Sequence, residues 1–155
     1  MSERISEEFL QKFIGLPVPP IKLQVRGKTL VEYAQAIGST NPKYIGDDPI
    51  AHPSYVGTSA VLALINSADV TAENDEGEQV KLIKNPLKVV HGGQNYKFTD
   101  VPVKDGDLIT TEGVISNVVI KGDNLFLYAD VTSKNQNGEV VLETTIYGIC
   151  TKGGW

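Results

Sequence analysis

Polar and apolar positions change their period about halfway along this 155-residue chain. In the first half the apolar residues recur at helical spacing. Phe9, Leu10, Phe13 and Ile14 mark an amphipathic helix over residues 4–14, with Ser6 placed to cap it. Gly15 and the prolines at 17, 19 and 20 predict its end, because proline keeps the residue before it out of the helical region. Residues 21–25 alternate and predict a strand. Leu30, Val31, Ala34 and Ile37 share one face of a second helix over 28–37, closed by Gly38. Residues 38–55 are polar and turn-rich, and a loop this long in a small domain is more often functional than not. Residues 55–68, entered through Pro53 and Ser54, are apolar or small in nearly every direction. That predicts a buried central helix surrounded by protein.

In the second half the period falls to two. Residues 71–85 carry no clear period and predict a surface loop. Strands are predicted over 86–90, 94–99, 108–119, 125–132 and 140–150. Turns are expected at 105–107, 121–124 and the Asn-Gly-containing 135–138. Tyr96 and Phe98 fall on one strand face. Leu125, Leu127, Ala129 and Val131 fall on another, as do Val140, Leu142, Ile146 and Cys150. The economical packing is α+β: an antiparallel sheet wrapped around the apolar helix. Long strands with an exposed edge invite pairing with a second subunit, so a dimer at least is expected.

Composition narrows the classes. The length suits one domain spanning 1–155. A single Cys excludes a disulfide-stapled fold. The net charge of −5, from 14 basic and 19 acidic residues, argues against broad nucleic-acid or anionic-membrane contact. No apolar run approaches the roughly 20 residues that span a bilayer. No basic leader precedes an apolar stretch, so the expected location is cytoplasmic. Acid–base chemistry has few candidates, since only His52 and His91 are present.

His91 stands beside Gly92 and Gly93, where backbone can approach a ligand closely. It reads either as a base or ligand contact, or as a satisfied histidine at a strand start. His52 opens the central helix, as a structural cap or a ligand contact. Ser39, Thr40 and Asn41 suit loop-backbone bonding. Tyr55, Gly57, Ser59 and Ala60 suit helix packing, with room left for a ligand as the other reading. Asp47, Asp48, Asp105 and Asp107 fit no calcium-loop spacing, so no metal is expected, and Asp105-Gly106-Asp107 reads as a turn. Cys150 reads as packing rather than nucleophile.

The run from Ala36 through Gly38-Ser39-Thr40-Asn41-Pro42-Lys43-Tyr44, followed by Ala51-His52-Pro53, resembles the motif of MaoC-like (R)-specific enoyl-CoA hydratases and 3-hydroxyacyl dehydratases. That motif reads Gly-Asp-x-Asn-Pro-(apolar)-His and then Ala-His-Gly. Val90-His91-Gly92-Gly93-Gln94, Tyr96, Phe98, Pro102 and Asp105-Gly106-Asp107 is similar to a block of the N-terminal or subunit version of the same fold. The resemblance covers roughly residues 5–151. It implies the hot-dog fold and a site near Asn41, His52, Tyr55, Gly57, Gly92, Gly93 and Gln94 that takes an acyl-CoA or acyl carrier protein thioester without a cofactor.

The departures from the motif sharpen this expectation. The family's Asp and His hold and activate one water. Here those positions are Ser39 and Tyr44, neither a competent base at its ordinary pKa. The Gly whose N–H holds the thioester oxygen is replaced by Pro53, which has none. The resemblance therefore implies a non-catalytic subunit that shapes the acyl pocket, with a second hot-dog chain supplying Asp and His. Two alternatives stay open: a homo-oligomeric hydratase or dehydratase using His91, and a non-enzymatic acyl-CoA-binding or scaffold module. A thioesterase ranks below these, because residues 55–68 carry no carboxylate.

Overall fold

Ser6 caps the first helix as its spacing predicts, its hydroxyl accepting the Phe9 N–H at 3.1 Å. The computed structural model describes residues 5–155, so position 4 of the predicted helix lies outside the described residues. Helix α1 covers only Glu7–Gln11. It ends early because the chain turns into the sheet: Gly15, at φ +86°, donates to the Ile115 carbonyl at 2.8 Å, and Ile115 donates back to Leu16 at 2.9 Å. Phe13, in the turn, is fully buried. Burying a side chain of that size contributes about 1.5–3 kcal/mol.

Strand β1 covers Pro17–Gln24, so the strand predicted over 21–25 begins earlier and takes in the prolines that follow the helix. The physical reason is its edge position. β1 pairs only with β5 (Leu108–Lys121), and the register breaks between Val18 and Ile21, across Pro19 and Pro20. An edge strand tolerates proline where no ladder N–H is required. Helix α2, Gly27–Ala36, follows the predicted second helix, and Gly38 closes it at φ +78°.

The polar loop contains two proline-initiated turns, α3 (Pro42–Ile45) and α4 (Pro53–Val56). The continuous central helix expected over 55–68 is broken. Helix α5 is Thr58–Asn66, separated from α4 at Gly57 and followed by a 3-10 turn at Ser67–Asp69. Gly57 itself keeps helical dihedrals, φ −66° and ψ −15°, and a side chain has no room there: a Cβ would stand 2.5 Å from Tyr96 Cε1. Nor is α5 buried all round in this chain. Ser59, Ala60, Ala63 and Leu64 face the core, whereas Leu62 is 42% and Ile65 59% exposed, because the sheet curls around one side only.

Residues 71–85 are not a plain loop. β2 (Thr71–Glu73) and β3 (Gln79–Lys81) form a hairpin, its turn fixed by Asn74 Oδ1, which accepts the N–H groups of Glu76 and Glu78. The two strands predicted over 86–99 are one, β4 (Val89–Phe98), bulged between His91 and Gly93 and preceded by a 3-10 turn at Pro86–Lys88. β5, β6 (Asn124–Lys134) and β7 (Val140–Cys150) form the long meander the alternation predicts. Gly106 at φ +86° turns the chain between Asp105 and Asp107, whose carboxylates accept the N–H groups of Gly27 and Lys104.

The main sheet has the antiparallel order β1-β5-β6-β7-β4, with α5 packed against it. This is the hot-dog arrangement, an α+β fold. One core cluster joins Leu10, Phe13, Ala60, Ala63, Leu64, Ile115, Leu127, Ala129 and Ile146; a second gathers Leu30, Tyr55, Val103, Ile109 and Leu142. Val140, expected on the core row, is only half-buried, while Leu142, Ile146 and Cys150 are buried. No helix among the described residues is long and apolar enough to cross a membrane.

Candidate functional site

The segment 38–57 folds by one device used twice: a capping side chain followed by proline at the first helical position. Asn41 Oδ1 accepts the Lys43 N–H at 3.0 Å and starts α3. His52 Nδ1 accepts the Ser54 N–H at 3.2 Å and starts α4. Proline suits that position because its missing N–H is one of the helix's unpaired donors anyway. Ser39 Oγ accepts the Asn41 N–H at 3.4 Å, so Ser39 and Asn41 both bond loop backbone.

Tyr44 and His52, at the two ends of this segment, meet edge to face with ring centroids 4.9 Å apart. His52 is also held from behind. Ser54 Oγ lies 2.8 Å from His52 Nδ1, and the Tyr33 hydroxyl donates to Ser54 Oγ at 3.0 Å. Because the Ser54 N–H points at Nδ1, that nitrogen carries a lone pair and the ring proton sits on Nε2. The order of donation is Tyr33 hydroxyl to Ser54 hydroxyl to His52 Nδ1.

The N–H groups at the start of α4 are engaged. Pro53 has none, the Ser54 N–H goes to His52 Nδ1, and the Tyr55 N–H goes to the His52 carbonyl at 2.9 Å. The first two N–H groups of the turn are thus bonded to His52 itself. Tyr55 is buried, its ring edge-on to Tyr33 at 5.3 Å, and burial raises its hydroxyl above the ordinary value. At the α4–α5 break, Gln94 Nε2 donates to the Gly57 carbonyl at 3.5 Å. Gln94 Oε1 and Thr144 Oγ1 are buried without a hydrogen-bond partner.

The remaining expected site residues lie elsewhere. Gly92 and Gly93 form the β4 bulge, and their missing side chains make room for the Tyr147 ring; a Cβ on Gly93 would stand 2.7 Å from Tyr147 Cε1. That is a packing role on the sheet. His91 pairs with Gly148 across the ladder and is exposed. It lines the rim of an apolar cleft of about 240 Å³ at the C-terminal end of α5, walled by Val61, Leu64, Ile65, Ala68, Leu127 and Cys150. Burial raises the Cys150 thiol, against a smaller opposing pull from Lys88. The cleft was not anticipated from sequence. One of its lining residues, Gly148, shows in the sequence as a glycine in the row Val140, Leu142, Thr144, Ile146, Gly148, Cys150.

The site thus has two parts at opposite ends of α5: a polar loop whose hydroxyls, imidazole and amides bond one another, and an apolar cleft with one histidine at its mouth. The fold has counterparts among known proteins. A UPF0336 protein of Streptomyces griseus is 25% identical over 133 residues, covering 85% of this chain and 88% of that protein. The C-terminally truncated HadBC (3R)-hydroxyacyl-ACP dehydratase complex of Mycobacterium tuberculosis superposes with a TM-score of 0.67 at 18% identity, covering 88% of this chain and 96% of that one. The (R)-hydratase PhaJ1 of Pseudomonas aeruginosa superposes at 0.62 with 21% identity, covering 90% and 81%. The model of the FAS1-like dehydratase domain region matches residues 12–144, and the chain belongs to that family of MaoC-like hot-dog proteins.

Proposed function

We propose that this chain is the non-catalytic subunit of an enoyl-thioester hydratase or 3-hydroxyacyl-thioester dehydratase. It shapes the acyl-chain pocket, and a partner hot-dog chain with an intact Asp and His motif holds the water. In the hydration direction the water oxygen bonds C3 of the enoyl thioester and a proton reaches C2; dehydration is the reverse. Both proton transfers belong to the partner's Asp and His. The substrate is an acyl-CoA or acyl carrier protein thioester, and the chain carries no cofactor.

The observation behind this reading is the start of α4. Ser39 and Tyr44 stand at the family's acid–base positions, Pro53 lacks an N–H, and the next two N–H groups are bonded to His52. Loss of the base and of the oxygen cradle together removes the chemistry while the apolar cleft stays open. The β4 edge, where Tyr96 and Phe98 stack at 5.4 Å and are each nearly half exposed, offers a partner an unpaired strand. A complex of two related chains, as in HadBC, is the arrangement this supports.

The test is turnover of a 2-enoyl-CoA by the purified chain, alone and mixed with a hot-dog chain carrying Gly-Asp-x-Asn-Pro-x-His. The expected result is turnover only in the mixture. Strong turnover by the chain alone overturns the proposal. In that case the rim position of His91 supports the second reading, a homo-oligomer using His91, and His91→Ala decides it by abolishing activity or leaving it intact. Acyl-CoA binding without turnover in any reconstituted complex identifies a non-enzymatic module instead.

A further inference from the structure

We propose that Tyr33, Ser54 and His52 form an acyl-transfer site that hydrolyses acyl thioesters, with Ser54 as the nucleophile. This activity lies beyond the hydration reading above, because adding water across a double bond leaves the thioester whole. Three observations carry it.

The first is a nucleophile with its base. Ser54 Oγ lies 2.8 Å from His52 Nδ1, the ring nitrogen that holds a lone pair. A hydroxyl within hydrogen-bond reach of an imidazole, itself oriented by a third group, is the arrangement that activates serine. The third group is Tyr44, whose ring packs on the imidazole. The second observation is a donor for the charge that develops. The Tyr33 hydroxyl donates to Ser54 Oγ at 3.0 Å. When Oγ bonds a carbonyl carbon, the oxyanion forms on that same carbon, beside the phenol proton, and a donor already in place there stabilises it. The third is access. Ser54 is exposed, and Tyr33 and His52 are half-buried. Capping α4 needs only the Ser54 N–H on Nδ1 and uses neither hydroxyl.

In the first half-reaction the bond from Ser54 Oγ to the acyl carbon forms and the carbon–sulfur bond breaks. The Ser54 proton moves to Nδ1, which lets go of the Ser54 N–H, and then to the departing sulfur. In the second, water bonds the acyl carbon, its proton passes through Nδ1 to Ser54 Oγ, and the carboxylic acid leaves. A thiolate departs without help from a strong acid, so a thioester suits this set better than an amide.

The measurement is release of free CoA from butyryl-CoA by the full chain, followed by liquid chromatography. A fluorophosphonate label located by mass spectrometry identifies the nucleophile. Release above the uncatalysed rate is expected, with the label on Ser54. Ser54→Ala should return release to the uncatalysed rate. His52→Asn keeps an acceptor for the α4 cap but takes no proton, and should slow release about 10²–10⁴-fold. Tyr33→Phe should lower kcat about 10²–10³-fold with KM little changed. No release by the unaltered chain, a label on another residue, release that persists in Ser54→Ala, or full activity in His52→Asn overturns the proposal. If Ser54→Ala fails to fold, the position of the label on the unaltered chain decides. Hydration of a 2-enoyl-CoA is scored separately, by the intact 3-hydroxyacyl thioester it leaves, so either reading can fail while the other stands.

Discussion

The Tyr44 ring stands edge-on to the His52 imidazole, 4.9 Å between centroids and 68° between planes. By the sequence resemblance Tyr44 falls where the motif has a histidine, and its phenol packs on His52. His52 is doubly committed, as the cap of α4 through Nδ1 and as the surface on which Tyr44 rests.

His52→Ala should cost about 0.5–2 kcal/mol for the lost cap, plus about 0.5–1.5 kcal/mol for the lost ring contact. His52→Asn keeps an acceptor for the Ser54 N–H and should recover the first part only. Urea midpoints at constant m-value separate the two. Equal loss in both variants would show that Asn fails to cap α4.

Gly93→Ala should destabilise the sheet by about 1–3 kcal/mol, because its Cβ enters the space of the Tyr147 ring. The check is a double-mutant cycle with Tyr147→Ser, in which the glycine substitution becomes nearly neutral. A cost that persists without the ring would assign Gly93 to backbone conformation or ligand approach instead of packing.

How far the sequence carried the fold depends on the range of the forces involved. β5, β6 and β7 were legible because each buries one face, so alternate positions must be apolar; Leu125, Leu127, Ala129 and Val131 are all buried. The early start of β1 at Pro17 was not legible because proline is read locally, while an edge position is a property of the whole sheet. The need for glycine at 57 was hidden for the same reason: it comes from Tyr96, a ring delivered by a distant strand. In the site, Ser39, Tyr44 and Pro53 could be read as departures from the motif that the sequence resembles. That the Ser54 N–H turns to His52, and that a cleft lined by Gly148 lies beside His91, depend on side chains meeting across the fold.

Cys150 should resist alkylation in the native protein and react once it is unfolded, since its thiol is buried and burial raises it. The same shift fixes a sign for stability. A group that holds its proton more tightly when folded loses that advantage as pH rises past its unfolded value, about 8.5 for a thiol. Tyr55 shifts in the same direction and acts from about pH 10. The unfolding free energy should therefore fall with rising pH above about 8.5, and the first part of the fall should vanish in Cys150→Ala. An unchanged slope in that variant would assign the loss to other groups.

Ser133 joins the central helix to the sheet through hydroxyls alone. Its Oγ lies 2.6 Å from Thr111 Oγ1 and 3.3 Å from Ser59 Oγ, and all three residues are at most 1% exposed. The Ser59 hydroxyl donates to the Val56 carbonyl at 3.1 Å. Its proton is thereby spent, so Ser133 donates to Ser59 and Thr111 donates to Ser133. Each hydroxyl has one proton and the chain of three uses them all. Ser133→Ala breaks it in the middle, leaving the Thr111 donor and one Ser59 acceptor without partners. The expected cost is about 1–3 kcal/mol, the range for an orphaned buried group. Adding Thr111→Val removes the orphaned donor along with its lost partner, so the double variant should be no less stable than Ser133→Ala alone. Chemical denaturation of the two variants measures this. If the second substitution adds its own full cost, the three hydroxyls do not act as one chain.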